Sequence, residues 1–308
     1  MNVVATRDRV LGRRGDGSVL LGFDGSHAAM TAVSIAAELM PLRHARVAHL
    51  WTAPGADSTM HRRLARRAWN GDHLWRLVRQ EAASTANSVA ARGVTLAEAA
   101  GWTAEPFVHE VHGGEGLALA ELAERFRPAV VVVGSRGARG LPGLFSSVSR
   151  TTVNYSSTPV LVVPPLLAEE RAAAVGGAVM IAHDGSPAAD RARVVAADLF
   201  RDRLQLVRYV ETPAIFGGPS PRVAIEPEVA GRISEEGLPP ETVKLATEEF
   251  GPRSVADTLA EEAAAQDVGV IVVASRRRST LRERLLGSNA RALLRHGHRA
   301  VLVVPPDT

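Results

Sequence analysis

The chain repeats itself, and the repeat dictates most of what it can fold into. Val19-Leu20-Leu21-Gly22-Phe23-Asp24-Gly25-Ser26 returns 160 positions later as Val179-Met180-Ile181-Ala182-His183-Asp184-Gly185-Ser186. Each copy is a short apolar run that closes on Asp-Gly-Ser. Apolar residues at helical spacing follow in both, Ala29, Val33, Ala37 and Met40 in one and Val194, Val195, Leu199 and Phe200 in the other. Ser26 and Ser186 suit the N-cap, and Pro187 falls where a first helical turn tolerates proline. The later parts match as well. Ala129 to Gly134 and Val268 to Ala274 are β-branched runs without polar alternation, as strands buried on both faces require. Thr158 to Pro164 matches His298 to Pro305, each run ending on proline.

Offsets between the copies locate the differences. Asp24 and Asp184 lie 160 apart, whereas Gly134 and Ala274 lie 140 apart, so the first copy holds 20 extra residues, expected between Trp51 and Trp102. Pro164 and Pro305 are 141 apart, so the first copy is one residue shorter after Gly134. Two further strands fit in each copy, near 45–51 and 106–111 and near 205–211 and 241–246. Helical patterns lie between them, one through Leu119, Leu122, Ala123 and Phe126, its counterpart opened by a Ser254-x-x-Asp257 capping box. Strand and helix alternate, which implies two parallel α/β sheets with right-handed crossovers. The expected division is a flexible tail over 1–17, a first domain over 18–165, a linker over 166–177 and a second domain over 178–308. Trp69 and Trp75, among Leu64, Leu74, Leu77 and Val78, are expected to pack in a core or interface, and the extra segment is a candidate lid over the crevice.

Composition narrows the chemistry. Aromatic residues make up 4%, so alanine, valine and leucine must fill the interior. Cysteine is absent, which excludes disulfides, thiolate nucleophiles and cysteine-ligated metals and fits a cytoplasmic setting. Lys244 is the sole lysine, and the pI near 10.1 reflects arginine while the net charge is only +3. With arginines interleaved among acids, no DNA partner is expected. No apolar run approaches the roughly 20 residues a membrane span needs. His109 with His112 and His296 with His298 lack accompanying carboxylate or cysteine ligands and are expected to be surface residues.

The chemistry-bearing stretch follows the fourth strand: Gly134-Ser135-Arg136-Gly137, then Ser146-Ser147-Val148-Ser149 opening a helix. Glycines there let backbone N–H groups approach an anion, and a helix N-terminus favours phosphate. Asp24, ending the first strand, would face this loop across the crevice between strands one and four. Lys244 follows no glycine loop, so a Walker-type NTPase is excluded, and no G-x-S-x-G elbow is present.

The Asp-Gly-Ser turn, V-V-V-G-S-R-G, S-V-S-R and T-P-V-L-V-V-P segments, in this order and spacing, resemble the universal stress proteins, and the resemblance covers nearly the whole chain twice. It implies tandem Rossmann-like domains of the adenine nucleotide alpha hydrolase-like type, each a five-stranded parallel sheet of order 3-2-1-4-5 with flanking helices. It also implies binding of ATP, with or without Mg2+, or of another adenine nucleotide, through G-x2-G-x9-G-[ST]. Pairing through the fifth strands is implied, here as an intramolecular pseudo-dimer with a further homodimer left open. Carried over by position, the site comprises Phe23, Asp24, Gly134, Gly137, Ser147, Val148 and Ser149, with Ser146 in place of the third glycine after eight rather than nine residues. In the second copy Asp184, Gly287 and Ser288 are kept, but Ala274 and Arg277 replace the two leading glycines, so that site is expected to be degenerate. A nucleotide-binding regulatory module without a catalytic residue is the leading expectation. A non-binding interaction module and a slow ATPase are the alternatives.

Overall fold

The computed structural model describes residues 17–55, 58–135, 147–211, 241–246, 252–275, 287–296 and 298–306. Residues 1–16 of the expected tail, Gly137, Ser146 and Arg277 lie outside them. The first half contains β1 (Ser18–Gly22), α1 (His27–Leu39), β2 (His44–Trp51), α2 (Thr59–Ala65), α3 (Gly71–Ala99), β3 (Thr103–Glu110), α4 (Glu115–Phe126), β4 (Val130–Gly134), α5 (Ser147–Tyr155) and β5 (Val160–Val163). Next comes α6 (Ala168–Gly176). The second half contains β6 (Ala178–Ala182), α7 (Pro187–Leu199), β7 (Gln205–Glu211), β8 (Glu241–Ala246), α8 (Pro252–Ala265), β9 (Val268–Ala274), α9 (Ser288–His296) and β10 (Ala300–Val304).

The strands form one ten-stranded sheet in the order β3-β2-β1-β4-β5-β10-β9-β6-β7-β8. Every pairing is parallel except the central one, where β5 meets β10 antiparallel with Leu161 opposite Leu302. The valine runs explain the layering. In β4 and β5 successive side chains point to opposite faces, and both faces are covered by helices. Val130, Val132, Leu161 and Val163 pack toward α1, while Val131, Val133, Val160 and Val162 pack toward α4 and α5. Both apolar layers continue into the second half through Leu302 and Val304 on one face and Val301 and Val303 on the other. No described helix is long and apolar enough to cross a membrane.

Several details depart from the sequence expectations. The stretch read as a linker carries α6, whose Ala173 and Ala174 are buried and which packs on β9 and α1. Arg203 fixes this junction. Its guanidinium donates to the carbonyls of Gly177 (3.0 Å), Glu38 (3.0 Å) and Val175. Glu38 and Val175 lie in the last turns of α1 and α6, where a cation complements the helix dipole. Burial pushes the Arg203 guanidinium below its usual range, with Glu38 opposing that shift. Ser254 does not open its helix, because α8 begins at Pro252 and places Ser254 inside the first turn.

The insertion lies in the β2–β3 connection. The offset between the halves falls from 160 at the ends of β2 and β7 to 138 at the starts of β3 and β8. α3 packs on β2 and β3 through Val78, Ala82, Ala86, Ala90, Gly93 and Ala97, one helical stripe of mostly small residues. Its 29 residues span about 43 Å, whereas each eight-residue strand beneath spans about 26 Å. The helix therefore overhangs the sheet at its N-terminal end. Trp75, 47% exposed, and Trp69, 75% exposed, lie at that overhang, not in a core.

Candidate functional site

The Asp-Gly-Ser turn after β1 is fixed by its own side chains. Asp24 Oδ1 accepts the Ser26 N–H at 2.9 Å, and Ser26 Oγ accepts the Ala29 N–H at 3.2 Å as the N-cap of α1. Gly25 adopts φ +76°, and Gly185 in the second half adopts the same value, a conformation that other residues enter at a cost. The turn leaves the Asp24 carboxylate exposed at the carboxyl end of the sheet.

A cavity of about 290 Å³ opens there between β1 and β4. Gly22, Ala48, Leu50, Leu119 and Val133 form an apolar floor. Phe23, Asp24, Glu115, Gly134, Ser147, Val148 and Ser149 line the remainder. The structure thus brings six expected residues, Phe23, Asp24, Gly134, Ser147, Val148 and Ser149, around one crevice. No residue of α2 or α3 lines it, so the insertion is no lid over the described part of the crevice.

The residues differ in what they do. Phe23 is buried, and its carbonyl accepts from His49 Nδ1 at 2.8 Å, which places that ring's proton on Nδ1. Gly134 has a packing reason for being glycine. A β-carbon there would lie 2.4 Å from the Ala28 carbonyl oxygen, because the first turn of α1 presses on the end of β4. Ser149 is buried and donates its hydroxyl proton to the Gly134 carbonyl at 3.0 Å, fastening α5 to β4. Thr152 adds hydrogen bonds to Val148 and Gly116 carbonyls at 2.9 and 3.2 Å. Ser147 is exposed in the first turn of α5, and the positive end of a helix dipole favours an anion. Sequence reasoning missed Glu115, which opens α4 and accepts from the Thr52 hydroxyl at 3.4 Å.

The second half has a corresponding cavity of about 260 Å³, lined by Asp184, Gly287 and Ser288 among others. Its wall differs at one decisive place. In the first half Gly22 pairs in register with Ala48, and in the second Ala182 pairs with Arg208. An arginine thus stands where the first crevice has a methyl group. Arg208 is 3% exposed, donates from Nε to Glu262 Oε1 at 2.7 Å, and from Nη1 to the Val207 carbonyl at 3.3 Å. Glu262 aligns with Leu122 at the offset of 140 that relates Leu259 to Leu119. His183 replaces Phe23. Its Nδ1 accepts the Gly185 N–H at 3.0 Å, so Nε2 carries the proton and faces Asp190 at 3.3 Å. Aligning the two copies at the offset of 160 would have set Arg208 against Ala48, and this signal was present in the sequence. Among the described residues no group of His, Asp and Glu is arranged to hold a metal ion.

Fold and crevices define a tandem α/β protein with one ligand-sized crevice at the carboxyl ends of the strands in each half. The family model described as the universal stress protein family matches residues 17–164 and again 177–305. The chain belongs to the universal stress protein family, with its domain present twice. Its fold is similar along nearly the full length to a universal stress protein from Archaeoglobus fulgidus, at 18% identity, covering 94% of this chain and 98% of that one, TM-score 0.69. It is also similar to a protein from Pseudomonas aeruginosa described as functionally unknown, at 12% identity, covering 97% and 95% of the two chains, TM-score 0.56. At these identities the likeness is one of fold. No curated relative matches the chain.

Proposed function

We propose that the first crevice holds an adenine nucleotide, ATP in the first instance, and that the protein is a nucleotide-responsive regulatory module, not an enzyme. One observation carries this reading: Asp24, Gly134 and the N-terminal turn of α5 meet around an apolar-floored cavity of about 290 Å³. The floor of Ala48, Leu50 and Leu119 suits a flat base. The carboxylates of Asp24 and Glu115 suit hydroxyl and amino donors of ribose and base, and the N-terminus of α5 at Ser147 suits phosphate.

The second half is the non-binding partner in this reading. The buried Arg208, paired with the partly buried Glu262 behind it, lines the second crevice where the first offers Ala48. The antiparallel β5–β10 joint supports reading the two halves as an internal pseudo-dimer and occupies both fifth strands, so the expected state is a monomer by sedimentation.

Calorimetric titration of nucleotide-free protein with ATP and Mg2+ tests the reading. About one equivalent is expected to bind. An Ala48→Arg/Leu122→Glu variant, which copies the second crevice into the first and supplies the new arginine with its partner, is expected to lose that binding while keeping its circular dichroism. Absence of binding by the parent protein would favour the interaction module. Release of ADP during the titration would favour the slow ATPase.

A further inference from the structure

The overhang of α3 and the short helix α2 form a surface that the crevice does not use. Residues 58–79 hold six arginines, at 62, 63, 66, 67, 76 and 79, against the single acid Asp72. Five net positive charges are thus gathered in 22 residues, whereas the whole chain carries only three. Arginine outnumbers acid just as strongly over 276–299, eight to the single Glu283, but only the segment 58–79 interleaves its arginines with tryptophans. All six side chains are exposed. Arg79 pairs with Glu110, but Arg63, Arg66, Arg67 and Arg76 form no ion pair among the described residues.

Two tryptophans stand among these cations, and neither is loose. Asn70 caps α3 by accepting the His73 N–H at 2.8 Å, which brings His73 beneath Trp69. The two rings stack with centroids 3.3 Å apart and planes at 21°, yet Trp69 is 75% exposed. Trp75 meets His61 of α2 edge-on at 5.3 Å and is 47% exposed. The aliphatic residues nearby turn inward, with Leu64 and Val78 buried and Leu74 and Leu77 half-buried. The surface therefore lacks the continuous apolar stripe that lets a helix enter a lipid interface. It offers instead two oriented aromatic rings amid guanidinium groups.

We propose that this helical hairpin binds single-stranded nucleic acid, with Trp69 and Trp75 stacking on bases and Arg63, Arg66, Arg67 and Arg76 contacting phosphates. Every base has a π-face, so stacking of this kind holds a strand with little sequence preference. Guanidinium groups suit the phosphates through paired donors. The site is separate from the crevice, so this proposal stands whether or not ATP binds there.

The test uses the full chain and a fluorescently labelled thymidine oligonucleotide, with its RNA counterpart, followed by anisotropy and tryptophan quenching. Binding is expected to weaken with salt at a log–log slope of roughly −3, for four phosphate contacts on a single strand. Trp69→Ala is expected to weaken binding about fivefold or more, and Trp75→Ala similarly. Arg66→Glu/Arg67→Glu is expected to abolish it. All three sites are exposed, and an unchanged thermal midpoint confirms that each variant is folded. The proposal is overturned if the oligonucleotide neither quenches nor binds at 50 mM salt. It is also overturned if heparin and duplex DNA bind equally well with the tryptophan variants unaffected, since charge alone would then suffice. Uptake by anionic phospholipid vesicles without oligonucleotide binding would replace it with a membrane-surface role.

Discussion

Ala48 and Arg208 occupy the same position in the two halves, each in register beside the last residue of its half's opening strand, Gly22 and Ala182. A methyl group in one crevice thus corresponds to a buried guanidinium in the other. The pair Arg208–Glu262 is nearly removed from water, and its Nε to Oε1 distance is 2.7 Å. Removing one member of such a pair leaves a buried charge without its partner. Glu262→Leu alone is therefore expected to destabilise the second half by about 3 kcal/mol. Arg208→Ala/Glu262→Leu, which copies Ala48 and Leu122, should recover most of that loss. Urea denaturation of the two single variants and the double variant measures the coupling as a double-mutant cycle.

Gly134 and its counterpart Ala274 should respond unequally to exchange. A β-carbon at 134 would meet the Ala28 carbonyl oxygen at 2.4 Å and the Ala29 nitrogen at 2.9 Å, both backbone atoms that move only with the first turn of α1. Gly134→Ala is expected to lower stability by about 1–3 kcal/mol, the usual range for overpacking. Ala274→Gly meets no such contact and should lower it by only about 0.5–1 kcal/mol through backbone entropy. Thermal denaturation of both variants decides whether the helix–strand contact requires glycine at 134.

Much of this was legible because the chain writes its domain twice. A strand ending in Asp-Gly-Ser is ambiguous once and informative when it recurs with the same sequel, so the positions of Asp24 and Asp184 followed directly from the repeat. What remained hidden depended on contacts distant in sequence. Arg208 and Glu262 are 54 residues apart, and nothing local pairs them. Trp75 continues the spacing of the buried stripe that starts at Val78, three residues on, yet it lies where α3 has run past the strands and has no sheet to pack on. Gly134 was expected to serve a ligand, whereas its nearest constraint is the backbone of α1.

The junction between the halves should depend on Arg203. Its guanidinium serves the carbonyls of Glu38, Val175 and Gly177 at once. Arg203→Met keeps the apolar stem and removes all three donors. Stability is expected to fall by roughly 2–3 kcal/mol, since hydrogen bonds from a charged donor contribute more than neutral ones. The guanidinium remains a cation at neutral pH despite burial, so the loss should be the same at pH 6 and pH 9. Hydrogen exchange is expected to quicken at the C-terminal turns of α1 and α6 before it does elsewhere. A uniform change across the chain would show that Arg203 does not act locally at this junction.

Ser147 and Ser149 line the same crevice, but their surroundings assign them different work. Ser149 is 1% exposed and donates to the Gly134 carbonyl, so its hydroxyl belongs to the joint between α5 and β4. Ser149→Ala should leave that carbonyl short of a partner and lower stability by about 1 kcal/mol. Ser147 is exposed in the first turn of α5. Ser147→Ala should leave the thermal midpoint unchanged and weaken ATP binding several-fold, if its hydroxyl meets the phosphates as proposed. Measuring midpoint and affinity for both variants separates the two roles. A lowered midpoint in Ser147→Ala would place its hydroxyl in the fold. Unchanged affinity in Ser147→Ala would move the phosphates away from the start of α5.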